Sequence, residues 1–172
     1  MTAVDDEGVR AMQLKTLLVA LDGSDHARRA VELAADLAAR HDAQVVLVSV
    51  LLQGEIPEHI RALAEVSEPP EPPLAVGGAY VPSELPPKVL RDISQKLIDQ
   101  AREHLEREGV RDIEQHIEAG SPAKVILAQA DYHAADMIVM GARGLGAVKG
   151  LITGSVSHKV QQLASCTVVT VR

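Results

Sequence analysis

The chain has 172 residues, 47% of them hydrophobic, yet it holds no Phe or Trp and only two Tyr, so one domain of ordinary size must build its core from aliphatic side chains. A net charge of −7 disfavours a nucleic-acid backbone, and the missing aromatics remove the platforms on which single-stranded bases stack. One cysteine, Cys166, excludes an internal disulfide and fits a reducing compartment; with no signal-peptide pattern and no run near the ~20 apolar residues of a membrane span, the expectation is a soluble, cytoplasmic protein.

Residues 1–13 are acidic and polar and read as a flexible leader to a single domain over 14–172. Thr16 to Leu21 is a continuous apolar run of strand length. In the segment that follows, Ala27, Ala30, Val31, Ala34, Leu37 and Ala38 recur every three or four residues, which predicts a helix capped by Ser24 or Asp25. Gln44 to Val50 is a second apolar, β-branched run and completes a β-α-β unit whose strands look covered on both faces. Between about residues 53 and 87 the character changes: eight of the nine prolines gather there with Gly77-Gly78, and no periodicity survives. This is a proline-rich insertion, either a lid over a ligand or a surface excursion that costs little free energy.

Helical order returns from Val89 to Glu108, where Leu90, Ile93, Leu97, Ala101 and Leu105 form one stripe. Next, Ile113, Gln115, Ile117 and Ala119 alternate with Glu114, His116 and Glu118, the pattern of a strand with one wetter face near a sheet edge. Ser121-Pro122 opens another helix, Met137 to Met140 is a fourth strand, and Thr167 to Arg172 is a fifth, at an edge. The order predicts an α/β fold: a three-layer open sheet of five parallel strands with helices on both faces, Rossmann-like. In such sheets ligands bind beyond the carboxyl ends of the strands, where the winding reverses.

One stretch, Met137 to Val160, concentrates the chemistry. Gly141, Gly144 and Gly146 follow the fourth strand, and Gly154-Ser155 opens a helix in which Val156, Val160 and Leu163 keep helical spacing, with Ser155 as the expected N-cap. The first amides of a helix lack internal acceptors and sit at the positive end of its dipole, so an anion suits them. Ser155 and Ser157 add hydroxyls, and Arg143 and Lys149 add charge. From Gly141 to Arg172 there are four basic residues and no acidic one, against 13 basic and 24 acidic in the remaining 140. A positive locus in an acidic chain points to a local anionic ligand.

Gly141, two residues, Gly144, nine residues and Gly154-Ser155 spell G-x2-G-x9-G-S, and by this motif the chain resembles the ATP-binding universal stress proteins. The spacing fits neither GxxxxGK[ST] nor GxGxxG. The resemblance implies an adenine nucleotide alpha hydrolase-like fold with ATP and Mg2+ or Mn2+ as ligands. It carries the nucleotide-binding positions onto Ala20, Leu21 and Asp22 after the first strand, Val50 after the second, and Met140, Gly141, Arg143, Gly144, Gly154, Ser155, Val156 and Ser157. It also implies a homodimer through Thr167 to Arg172, where Thr167 replaces the family's usual proline, and a regulatory protein partner.

Each residue also has a plainer reading. Asp22 binds ribose, adenine or a cation carried by phosphates, or it makes an Asx turn; Val50 is otherwise core, Ser155 a simple cap, Arg143 and Lys149 solvated loop charge. The seven histidines are scattered along the chain without HExxH or a Cys-His cluster, which reads against a zinc site, and no GxSxG is present. The expectation is a nucleotide-dependent stress-response regulator with at most slow hydrolysis. Its alternatives are a non-nucleotide interaction protein of the same fold and an enzyme such as a slow ATPase.

Overall fold

The structure is a computed structural model and describes residues 14–51, 86–145 and 154–172; the expected leader and nearly all of the proline-rich insertion lie outside them. The described elements are β1 (Thr16–Leu21), α1 (Asp25–His41), β2 (Gln44–Val50), α2 (Pro87–Arg107), β3 (Ile113–Glu118), α3 (Pro122–Tyr132), β4 (Met137–Gly141), α4 (Ser155–Leu163) and β5 (Thr167–Val171). The five strands form one parallel sheet, as the sequence pattern predicts, and stand in the order β3-β2-β1-β4-β5.

Strand alternation sorts the apolar side chains into two layers. Leu17, Val19, Val45, Leu47 and Val139 face α1 and α2, while Leu18, Val46, Val48, Ile138 and Met140 face α3 and α4. The central strands are apolar on both faces for that reason. Against β1 and β4, α1 presents Ala27, Ala30, Ala34, Ala35 and Ala38, small residues that let the helix approach the sheet closely. Larger volume comes from Leu17, Leu18, Leu47, Ile93, Ile98, Leu105 and Ile138, all fully buried. Each such side chain contributes about 1.5–3 kcal/mol on burial, so an aliphatic core suffices without aromatic residues.

Two boundaries and one cap depart from the sequence reading. α2 begins at Pro87 rather than Val89, because a proline has no N–H to lose at the first helical positions. Ser121 stands at the N-cap of α3 as expected, but its side chain makes no capping bond. α4 begins at Ser155 with Gly154 as its N-cap, so Ser155 is the first helical residue and not the cap. Edge position is borne out for β3 and β5. Among the described residues no helix is long and apolar enough to cross a membrane.

Candidate functional site

The sheet order reverses direction between β1 and β4, which makes their carboxyl ends the switch point. Ala20 pairs with Met140 across these strands, and Leu21 pairs with Ser49 beside Val50. Ala20, Leu21, Val50, Met140 and Gly141 are thus gathered at one end of three neighbouring strands. Leu21, Val50 and Met140 are buried in the core, so their side chains are occupied in packing and only their backbone is on offer to a ligand.

Beyond β1 the chain turns through Asp22 and Gly23 into α1. Gly23 takes φ 82°, a left-handed conformation that only glycine adopts without strain. Asp22 Oδ1 accepts from the N–H of Ser24 at 3.0 Å, the Asx turn, and Oδ2 accepts from the N–H of Leu145 at 3.2 Å. One carboxylate therefore ties the β1 turn to the glycine loop after β4. A second tie is Ser24, whose hydroxyl accepts from Ala27 N and donates to Arg143 O, both at 3.2 Å.

The glycines of the motif do different work. A methyl at Gly141 would lie 2.9 Å from both the backbone nitrogen of Ala27 and Cβ of His26, so the loss of the side chain is what lets β4 pass under α1. At Gly144 the same atom would run into Asp22 Oδ2. Gly154 is different: a side-chain carbon there would meet Arg143 Cα at 3.4 Å and Ala142 O at 3.5 Å, ordinary contacts, and its φ of −78° is open to any residue. Among the described residues nothing in the protein's own packing demands a glycine at this position.

Gly154 N donates to Ala142 O at 2.8 Å, and the buried Ser157 hydroxyl bonds to Ala142 O at 2.8 Å and Gly154 O at 3.0 Å. Ser157 is consequently held by the loop and fastens α4 to the end of β4. Ser155 is exposed, Val156 and Arg143 are half-buried, and no side chain caps the helix. Its leading amides are the groups that a helix leaves without internal acceptors. Lys149 and Gly146 lie outside the described residues.

Next to this junction a cavity of about 470 Å³ opens between α1 and α2, lined among others by Leu21, Gly23, Ser24, Arg28, Leu97 and His104. Its size suits a small ligand, and it reaches the turn after β1 through Leu21, Gly23 and Ser24. Cys166 is removed from the crevice: it is half-buried, and burial, with the nearby Asp131 adding to it, pushes its thiol above the usual range. A protonated thiol is a poor nucleophile, which suits Cys166 to packing beside β5. The histidines, scattered in sequence, are not all scattered in space; His116 and His133 meet beside Glu114 at the far edge of the sheet.

An open parallel sheet with a glycine turn and an uncapped helix start at its switch point defines a Rossmann-like α/β protein with an anion-receptive crevice. The model of the universal stress protein family matches residues 13–172, and the chain belongs to that family. It is 33% identical over 159 residues to universal stress protein YxiE of Bacillus subtilis, covering 91% of this chain and 97% of that one. It is 34% identical over 162 residues to the universal stress protein in the QAH/OAS sulfhydrylase 3' region of Thermus aquaticus, covering 92% and 98%. Among solved structures, UspA from Lactobacillus plantarum superposes with a TM-score of 0.70 at 22% identity over 94% of this chain and all of that one. A universal stress protein in complex with cAMP gives 0.61 at 24% identity, covering 93% and 98%. One from Archaeoglobus fulgidus in complex with dAMP gives 0.61 at 21%, covering 94% and 100%.

Proposed function

We propose that this universal stress protein binds ATP at the switch point and acts as a nucleotide-dependent stress-response regulator. The observation that carries the reading is Gly154: a glycine that the described packing does not require, at the start of a helix with no side-chain cap, beside the turn that Asp22 and Ser24 brace. A glycine spared by packing is explained if a ligand's phosphates approach its backbone. The cAMP and dAMP held by structural neighbours support an adenine nucleotide.

In this reading Ser155, Val156 and Ser157 offer amides and Ser155 a free hydroxyl to the phosphates, Gly154, whose own N–H is held by Ala142 O, supplies a bare backbone for their close approach, and Gly141, Arg143 and Gly144 border the ribose and phosphates. Ala20, Leu21, Asp22, Val50 and Met140 line the nucleoside end through their backbone and the Asp22 carboxylate. Asp22 oxygens each accept one protein N–H and keep lone pairs for a ribose hydroxyl or for water on Mg2+ or Mn2+ carried by the phosphates. Binding rather than turnover is the proposed activity. β5 pairs with β4 on one side, and its other side, over Thr167 to Arg172, is the proposed homodimer contact, with regulation exerted on a protein partner.

Isothermal titration of the protein with ATP in magnesium buffer tests this. One nucleotide per chain is expected, displaced by AMP only at higher concentration. No heat and no binding with ATP would overturn the reading in favour of a non-nucleotide interaction protein, and linear phosphate release at about 1 per second or faster would make it an enzyme.

A further inference from the structure

β3 carries Glu114 and His116 two residues apart, so both side chains stand on one face of the edge strand. Its register with β2, Val46 opposite Glu114 and Val48 opposite His116, sets that face on the α3 side of the sheet. α3 ends with His133 as its C-cap, whose N–H is held by Gln129 O at 3.1 Å. The three side chains converge. His116 Nε2 lies 3.0 Å from Glu114 Oε1 and 3.0 Å from His133 Nε2, and His133 Nδ1 lies 3.7 Å from Glu114 Oε2. Side-chain exposure runs from 8% for His133 through 23% for His116 to 44% for Glu114, a pocket with one wet wall.

Protons serve this arrangement poorly. A neutral imidazole has one N–H, and His116 Nε2 faces two acceptors at once, so its proton is divided between them. With the proton on His133 Nε2 instead, the His116 lone pair is turned toward a carboxylate oxygen. Two protonated Nε2 atoms would oppose each other. A cation at the focus answers all three donors together.

We propose that Glu114, His116 and His133 form a binding site for a divalent transition-metal ion of the Zn2+ class. Zinc bound at about 2.0–2.2 Å with tetrahedral geometry holds its ligands about 3.3–3.6 Å apart. The three offered atoms all lie within 4.8 Å of one another, and two of the separations are 3.0 Å, so small rotations of the side chains reach that spacing. Two imidazoles and one carboxylate select zinc over the oxygen-seeking Mg2+ and Ca2+. Tyr132 stacks edge-on against His133 with centroids 4.9 Å apart and steadies the ring. Three protein ligands leave one coordination position for water or an outside donor. The site is separated from the switch point by β2 and does not depend on the nucleotide reading.

The test is a Zn2+ titration of chelator-stripped full-length protein against a chromophoric competitor, with the histidine ring resonances followed by NMR. One ion per chain at a dissociation constant below about 1 µM is expected, with the His116 and His133 signals shifting together. His116→Ala should weaken binding roughly 100-fold or more, since even supporting residues outside the ligand set are worth 10- to 100-fold. Glu114→Gln, conservative and at the wet wall, should cost at least about tenfold while leaving apo thermal unfolding unchanged, and it decides the matter if the histidine variant fails to fold. Absence of stoichiometric binding overturns the proposal, as does binding that neither variant weakens.

Discussion

At the amino ends of β1 and β4 a carboxylate answers the backbone: Asp136 Oδ2 accepts from the N–H groups of Lys15 at 2.8 Å and Thr16 at 2.9 Å, and Ser165 Oγ donates to Asp131 at 2.8 Å nearby. At their carboxyl ends the same strands run instead into glycines and toward a helix that no side chain caps. One end is closed by side chains that satisfy the protein itself. The other is braced by Asp22, Ser24 and Ser157 but ends, at the start of α4, in helix amides that no side chain caps and that the proposed reading gives to a ligand. The lesson is a division of labour along the strand axis: changes at the amino ends should move stability alone, and changes at the carboxyl ends should move ligand affinity wherever packing does not already claim the residue, as it does at Gly141.

The sharpest way to break that division is a pair of glycine substitutions. Gly154→Val should weaken ATP binding by roughly 100-fold, about 2.7 kcal/mol, because the branched side chain stands where phosphate approaches. Its backbone, φ −78° and ψ 159°, is open to any residue and a Cβ there meets only ordinary contacts, so the smaller Gly154→Ala, made beside it, should shift unfolding by no more than about 1 kcal/mol while still weakening ATP binding. Gly141→Ala should behave in the opposite sense, losing about 1–3 kcal/mol of stability through overpacking against Ala27 and His26. Titration calorimetry and urea unfolding of these variants check the pair. Equal stability losses with no change in affinity would mean that both glycines are structural.

These two glycines also show what was legible beforehand. The spacing Gly141, Gly144, Gly154 was readable because a site made from backbone must keep its residues contiguous or at fixed offsets, and it must use the one residue type that leaves the backbone bare. The order of strands and helices was readable for a similar reason, since period and apolar runs are local properties. What each motif residue touches was not. That Ser157 faces the loop and that Asp22 also holds Leu145 depend on contacts across 15 and 123 positions, which no local pattern encodes, whereas the bond from Ser24 to Asp22 is the local Asx turn that the sequence offers. The Glu114, His116 and His133 cluster failed to register for the same reason. Its strand half was visible as a wet face, but the third member arrives from a helix end 17 residues on.

At the amino ends the expected effect is of similar or smaller size and of one kind only. Asp136→Ala removes the acceptor of two backbone N–H groups that join the start of β1 to β4, and it should cost about 1.5–3 kcal/mol. ATP affinity should stay within about twofold of the parent. Chemical denaturation combined with the same calorimetric titration reads both numbers, and a large loss of affinity without loss of stability would reverse the roles assigned to the two ends.

The smallest effect belongs to Cys166, which directly precedes β5 at the amino ends of the strands. Burial, with Asp131 contributing, raises its thiol above the ordinary range, so the fold favours the protonated form. The unfolded chain gives up that proton at lower pH than the folded one. The stabilisation is therefore complete below the unfolded thiol's value and is lost as pH rises through the higher folded value. Between those limits unfolding free energy should decline with pH, and Cys166→Ala should flatten that part of the profile. Alkylation by iodoacetamide near pH 8.5 should accordingly be slower in the native protein than in urea, because only the thiolate reacts. A native rate equal to the unfolded one would place Cys166 in water and take away the closed amino end on which the contrast with the carboxyl end depends.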